Sequence, residues 1–375
     1  DMNVLCYNVA FITSKYLLIT MNQRNSMLVR LMGGLGNQMF IYAFAKAMSL
    51  KGYPILLDAT HFKNDLHGDA FEKEDSVKVG HIKTEGGGQD LRLLELMLYN
   101  ISLPLCFDDK SIVEYLYSHD KFLKYKFPLK YIRYAPRGKY HKLHHAIFKC
   151  YKYFHSDDLP GESIVEKFLN NNFEKHAYPF AYFHNPIYFD EIDSIIKEEF
   201  RLKIPLKLHN KALKEKIEKT ENSVFLHIRL GDYLKMEATD GGFVRLGKTY
   251  YQSAINIMKS KINQPHIFIF SNDIEWCEKN LSNSLDFKGC NIEFVKGNGE
   301  GNAAEEMELM KACRHAIIAN STFSWWASYL IDNPDKQIIM PTQVFNDTRR
   351  IPKSNMLAKK GYILIDPFWG THSIV

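Results

Sequence analysis

Two periods alternate along the chain. Short, nearly continuous apolar runs at 28–32, 55–58, 223–228, 266–270, 292–295, 316–319 and 337–340 predict strands buried on both faces. Apolar residues three and four apart predict helices near 39–51, 109–117, 211–219, 250–261, 305–313 and 323–330. Strands alternating with helices mean a parallel sheet covered on both sides, so the chain reads as an α/β protein. The segment 200–208, with Pro205 inside it, reads as a linker. The resulting division is an N-terminal extension over 1–27, an N-terminal domain over 28–205 and a C-terminal domain over 206–375. A length of 375 residues with 46% hydrophobic content suits two domains with full cores.

Composition narrows the function classes. The net charge of +5 is modest and mixed, which argues against a nucleic-acid partner. The six cysteines include no C-x-x-C pair, so neither a zinc site nor a disulfide framework is indicated, and a reducing compartment fits best. Residues 4–20 are apolar in part but interrupted by Lys15. They are too short and polar for a membrane span and lack the features of a signal peptide. A cytoplasmic location is therefore expected, and the sequons at Asn100, Asn280, Asn320 and Asn346 carry no weight there. Residues 121–156 hold ten Lys/Arg and ten Phe/Tyr and no acid. Such a segment suits a peripheral contact with an anionic membrane face, an acidic glycan or nucleic acid. The plainer alternative, a solvated helical insertion with its aromatics turned inward, is favoured. A second aromatic run at 180–189 is either a sugar platform or, more commonly, core.

The chemistry gathers where strands end. Val224-Phe225-Leu226-His227-Ile228-Arg229-Leu230-Gly231-Asp232 runs from a buried strand into a polar cluster. Open α/β sheets bind ligands outside the carboxyl ends of their strands. A guanidinium there suits a diphosphate, because its fork of N–H donors matches phosphate oxygens and keeps its charge. The alternative is an Arg–Asp pair closing the turn. Ser271-Asn272-Asp273 and Asn320-Ser321-Thr322 end two further strands, and three such clusters on one sheet edge read as the wall of a ligand cleft. The last cluster opens a helix, where hydroxyls and free amides hold phosphate and also serve as ordinary caps. In the first half, Gly33-Gly34-Leu35-Gly36-Asn37-Gln38 lies between a strand and a helix. It is neither G-x-G-x-x-G nor a P-loop. The sum suits an enzyme that binds a nucleotide diphosphate between two lobes. No D-x-D occurs, which argues against the metal-dependent mode of holding a sugar nucleotide and leaves that charge to Arg229 and a helix dipole.

Gly33-Gly34-Leu35-Gly36-Asn37-Gln38-Met39-Phe40, His227-Ile228-Arg229-Leu230-Gly231-Asp232-Tyr233 and Asn320-Ser321-Thr322-Phe323-Ser324-Trp325-Trp326-Ala327 together resemble the three signatures of the α-1,2-fucosyltransferases, glycosyltransferase family 11, in the right order. The resemblance implies a GT-B-like fold of two Rossmann-like domains facing a central cleft. It implies GDP-fucose as donor and inverting transfer, without metal or cofactor, to the 2-hydroxyl of a galactose in a bacterial surface glycan. Three departures stand out: Leu230 where a second Arg is common, Ile41 where Gln is frequent, and Glu306 where an Asp is usual. Alternate residues of an extended segment point oppositely, so Leu230 is expected to face away from the donor.

On this resemblance Arg229 neutralises the β-phosphate as the sugar–phosphate bond breaks. Ser321 and Thr322 hold the remaining phosphate oxygens, beside Asn320 and Phe323. His227 contacts the nucleotide or is a satisfied strand-end histidine. Glu306 holds the ribose or guanine. Gly36, Asn37 and Gln38 orient acceptor and donor near the anomeric carbon. Asp232 is the candidate general base, with pairing to Arg229 as the preferred alternative role; Glu237 and Asp240 follow in a glycine-bearing loop. The partners are then GDP-fucose and a galactose-terminated oligosaccharide or glycolipid. Two other functions stay open: the same fold with another acceptor position, and a non-catalytic glycan or membrane-surface binder.

Overall fold

The computed structural model describes residues 26–62, 94–119, 164–173, 178–179, 181–230, 243–298, 301–346 and 356–375. They fall into two compact units. The first takes the described residues of Asp1–Leu94, Ile101–Phe183 and Ile187–Glu199; the second takes Glu95–Asn100, His184–Pro186 and those of Phe200–Val375. The basic segment 121–156 lies outside the described residues.

The first unit holds a three-stranded parallel sheet in the order β1 (Met27–Arg30), β2 (Ile55–Asp58), β3 (Leu105–Cys106). Helix α1 (Leu35–Leu50) connects β1 to β2 and is buried on nearly every side, which its mostly apolar sequence demands. Further helices are α2 (Asp109–His119), α3 (Ile164–Leu169) and α4 (Asp193–Glu199). Most of the described part of the second aromatic run is core: Phe183, Tyr188 and Phe189 are buried, Phe183 stacks on Phe44 at 3.8 Å between ring centres, and Tyr182 is exposed. At the carboxyl edge, buried Asp58 accepts from Tyr178 Oη (2.6 Å) and Thr60 Oγ1 (2.6 Å) and lies 3.7 Å from Arg30, so its charge is fully accounted for.

The second unit begins with α5 (Leu208–Lys219) and continues β4 (Ser223–Ile228), α6 (Lys248–Lys261), β5 (His266–Ser271), α7 (Ile274–Ser284), β6 (Asn291–Phe294), α8 (Ala303–Lys311), β7 (His315–Ile317), α9 (Thr322–Tyr329) and β8 (Ile338–Pro341). The expected last strand is followed by two more, β9 (Ile363–Ile365) and an antiparallel edge strand β10 (His372–Ile374). The sheet order is β10-β9-β8-β7-β4-β5-β6, parallel apart from β10, which puts β4 in its interior, between β7 and β5.

The segment read as a linker is partly structural. Phe200 is fully buried with its ring edge-on to Trp326 at 5.1 Å; Leu202 bridges Tyr99, and Lys203 N donates to Leu98 O (2.8 Å). Residues 95–100, from the first half of the sequence, are thereby built into the second unit. No helix among the described residues is long and apolar enough to cross a membrane.

Candidate functional site

The alternation along β4 sorts its residues. Val224, Leu226 and Ile228 join the core cluster with Tyr250, Tyr251, Ala254 and Ile255 of α6, and Leu230 packs against that same cluster. Residues of the other parity, His227 and Arg229, belong to the opposite face. Leu230 therefore does face away from the Arg229 side. Asn272 fixes the backbone here: its side chain accepts from Leu230 N (2.8 Å) and donates to Leu230 O (3.0 Å), extending the sheet ladder past the end of β4. The remaining members of that cluster serve the start of α7. Asp273 caps it by accepting from Trp276 N (3.1 Å), and Ser271 Oγ accepts from Asp273 N (3.1 Å). This cluster braces the sheet edge, where the sequence suggested cleft wall.

His227 is 3% exposed, its ring centre lies 6.0 Å from that of Phe323, and its Nδ1 has no hydrogen-bond partner among the described residues. Burial, with the Arg229 charge adding, pushes the imidazole down to about 3, so it is neutral at physiological pH. The plain alternative, a satisfied strand-end histidine, does not describe it. Arg229 is half-buried and acts electrostatically on both His227 and Glu306.

Glu306 arrives from the other direction. A helix in a parallel sheet returns antiparallel to the strands, so α8 and α9 both start at the carboxyl edge. Glu306 sits in the first turn of α8. The residue as a whole is half-buried, and burial of its carboxyl pushes it up to about 8; Arg229 opposes that rise and Glu95 adds to it. The neighbouring Glu305 turns to α5, where it accepts from Asn210 Nδ2 (2.7 Å) and Lys207 N (3.0 Å). Burial alone raises an acid, but these bonds outweigh it and hold Glu305 below the usual range. One residue of helical rotation thus separates a structural acid from one beside Arg229.

Strand β7 pairs with β4 through Leu226↔Ile317, which carries Asn320–Phe323 to the same edge as Arg229. Ser321 is the extended N-cap of α9, yet its side chain makes no capping bond; Ser321, Thr322 and Phe323 are half-exposed. Asn320 is buried and its Nδ2 donates to Val244 O (2.7 Å) and Val344 O (3.3 Å), so the amide nitrogen anchors two loops. The far end of α9 is fixed by Lys336, whose Nζ donates to Ser328 O (3.0 Å), Tyr329 O (2.8 Å) and Ile331 O (3.0 Å).

In the first unit, Gly33 has φ +75°, and a Cβ there would stand 2.5 Å from Asn37 Nδ2. Gln38 is fully buried and donates from Nε2 to Gly33 O (2.9 Å), so it braces the turn. Gly36 is buried, and Asn37 keeps half-exposed surface. Asp232, Glu237 and Asp240 lie outside the described residues.

Two residues near the site escaped the sequence reading. Asn272 was grouped with the cleft wall. Glu95 was not singled out: it is 7% exposed, and its Oε1 accepts from Ala304 N (3.3 Å) at the start of α8.

A family model described as "Glycosyl transferase family 11" matches residues 123–365. Among curated proteins, the "Alpha-1,2-colitosyltransferase" of Escherichia coli is 29% identical over 316 residues, covering 84% of this chain and 91% of that protein. The "O-antigen biosynthesis glycosyltransferase WbnK" of Escherichia coli is 29% identical over 330 residues, covering 84% and 93%. The mouse (Mus musculus) "Galactoside alpha-(1,2)-fucosyltransferase 2" is 32% identical over 108 residues, covering 28% of this chain and 30% of that protein.

Proposed function

Because the chain belongs to glycosyl transferase family 11 and is therefore a glycosyltransferase, we propose that it transfers L-fucose from GDP-fucose, with inversion and without a metal, to the 2-hydroxyl of a galactose in a surface glycan. The observation that carries this reading is Arg229 on the carboxyl edge of the second unit's sheet, with neutral His227 and Glu306 within its electrostatic reach and the Ser321–Thr322 helix start on the adjacent strand's exit.

In this scheme the fucose–phosphate bond breaks as the acceptor oxygen attacks from the opposite face. Arg229 takes up the charge growing on the β-phosphate. Ser321, Thr322 and the first amides of α9 hold the other phosphate oxygens, aided by the positive helix end. The imidazole of His227 remains uncharged and offers its Nδ1 to a hydroxyl or N–H of the nucleotide. Glu306, as carboxylate, accepts hydrogen bonds from ribose or guanine. Asn37 orients the reacting groups and Asp232 is the candidate base or the partner of Arg229. Asn320 and Gln38 act from behind, by fixing loops. On this reading the reaction takes place in the cytoplasm, and a peripheral contact of 121–156 with the membrane's inner face is the alternative to a solvated insertion. Family membership removes the non-catalytic binder from consideration.

A second donor is favoured by one observation, the similarity to a colitosyltransferase over most of both chains. Colitose lacks the 3-hydroxyl of fucose, so the two donors make equal demands on the diphosphate site. Comparing GDP-fucose with GDP-colitose on β-galactosides, followed by linkage analysis of the product, tests both readings. An α-1,2-fucosylated product supports the first and a colitosylated one the second. A product linked elsewhere than O2 contradicts the acceptor assignment. Replacing Arg229 with Ala should abolish turnover while circular dichroism stays unchanged; retained turnover removes Arg229 from the mechanism.

A further inference from the structure

Among the described residues, the contact that the proposed mechanism leaves unused is the one between Glu95 and the start of α8. That helix has Asn302 as N-cap, but the Asn302 side chain makes no capping bond. The carboxylate of Glu95, more than two hundred positions away in sequence, accepts instead from Ala304 N and interacts with the Ala303 amide. Tyr99 of the same segment donates to Ala304 O, at 3.5 Å. The segment is locked in turn: Asn100 N donates to Arg201 O (3.0 Å), Lys203 N donates to Leu98 O (2.8 Å), and Tyr99 packs on Phe200. The first turn of α8 is the turn that carries Glu306.

We propose that Glu95 is a positioning residue for the nucleotide site, capping α8 from outside so that the Glu306 carboxyl is held beside Arg229. This rests on the reading of Glu306 as a nucleotide contact. Electrostatics adds a second role. Among the described residues, the charged groups acting on Glu306 are Arg229 at the exit of β4 and Glu95. The other acids of α8 face elsewhere: Glu305 to Lys207 and Asn210, and Glu308 to Lys214 and Lys311. A negative Glu95 makes Glu306 harder to ionise. If Glu306 accepts hydrogen bonds from the nucleotide, GDP binding strengthens as pH rises and Glu306 loses its proton. Glu95 then sets the pH at which it does so.

The test is calorimetric titration of the full-length protein with GDP between pH 6 and 9, in the wild type, Glu95→Ala and Glu95→Gln. The alanine variant loses the cap and should bind GDP about tenfold more weakly. The glutamine variant keeps a capping oxygen without the charge. It should bind with wild-type affinity at high pH, and its affinity should begin to fall at a lower pH than the wild type's. A purely structural cap leaves that pH midpoint where it was, and such a result overturns the proposal; so does unchanged affinity in a folded Glu95→Ala. If that variant does not fold, the midpoint of Glu95→Gln decides alone. Failure of the wild type to bind GDP at any pH instead sinks the nucleotide reading on which the proposal stands.

Discussion

Replacing Asn272 with Ala tests whether Arg229 works because its backbone is fixed beforehand. The Asn272 side chain makes two bonds to Leu230, one accepted from N at 2.8 Å and one donated to O at 3.0 Å. Leu230 follows Arg229 directly and opens the stretch that runs on to Asp232. Each bond contributes about 0.5–1.5 kcal/mol net, so the pair restrains this point by about 1–3 kcal/mol. The site is exposed, and water replaces part of that loss, so a cost of about 1.4 kcal/mol, or about tenfold in kcat/KM, is expected. Global stability should fall by no more than about 1.4 kcal/mol, because no buried group is orphaned. Asn272→Asp keeps the bond from Leu230 N but sets a second carboxylate oxygen against the Leu230 carbonyl. It also puts a negative charge near the proposed diphosphate site, so it should cost at least as much as alanine. The assay is steady-state turnover with varied donor, alongside thermal unfolding. If Asn272→Ala keeps kcat/KM within about twofold of wild type, ordering of this loop by Asn272 is not part of how the site works.

Other consequences follow from single side chains. Gly33→Ala forces a residue with a Cβ into φ +75° and against Asn37; it should cost about 1–2 kcal/mol in urea unfolding and lower turnover by displacing Asn37. Lys336→Met leaves the three carbonyls at the end of α9 without their cation, and about 2–4 kcal/mol of unfolding free energy should go with it. His227, held down to about 3, should show neutral-imidazole nitrogen shifts by NMR from pH 5 to 9. Because the unfolded chain protonates this group near 6.5, stability should decline as pH falls below that value, and His227→Gln should flatten part of the decline.

The strands that carry the site were legible because each is a buried run bounded by polar residues. The runs at 55–58 and 223–228 end where β2 and β4 end. Helix α7 was passed over although Asp273 caps it and Cys277, Leu281 and Leu285 recur every fourth residue; the polar start was taken for cleft chemistry. The final hairpin was missed because β9 and β10 are three residues each. Its signal was the Asp366-Pro367 turn, where Asp366 Oδ1 accepts from Phe368 N and Trp369 N and Gly370 takes φ +71°. Arg229 and Glu306 were chosen from their motifs, and the structure brings both within electrostatic reach of each other. Glu95 was illegible for a different reason. A cap delivered from a separate part of the chain leaves no local pattern, and only tertiary structure puts Glu95 beside Ala304.

The central claim is metal-free transfer from a GDP-linked deoxysugar to a galactoside. The most direct measurement is GDP release by the purified chain with GDP-fucose, in EDTA, with and without β-galactoside acceptors. The account predicts release that depends on the acceptor and is undiminished by EDTA. Release that EDTA abolishes and Mg²⁺ or Mn²⁺ restores would contradict the role given to Arg229 and the α9 helix start.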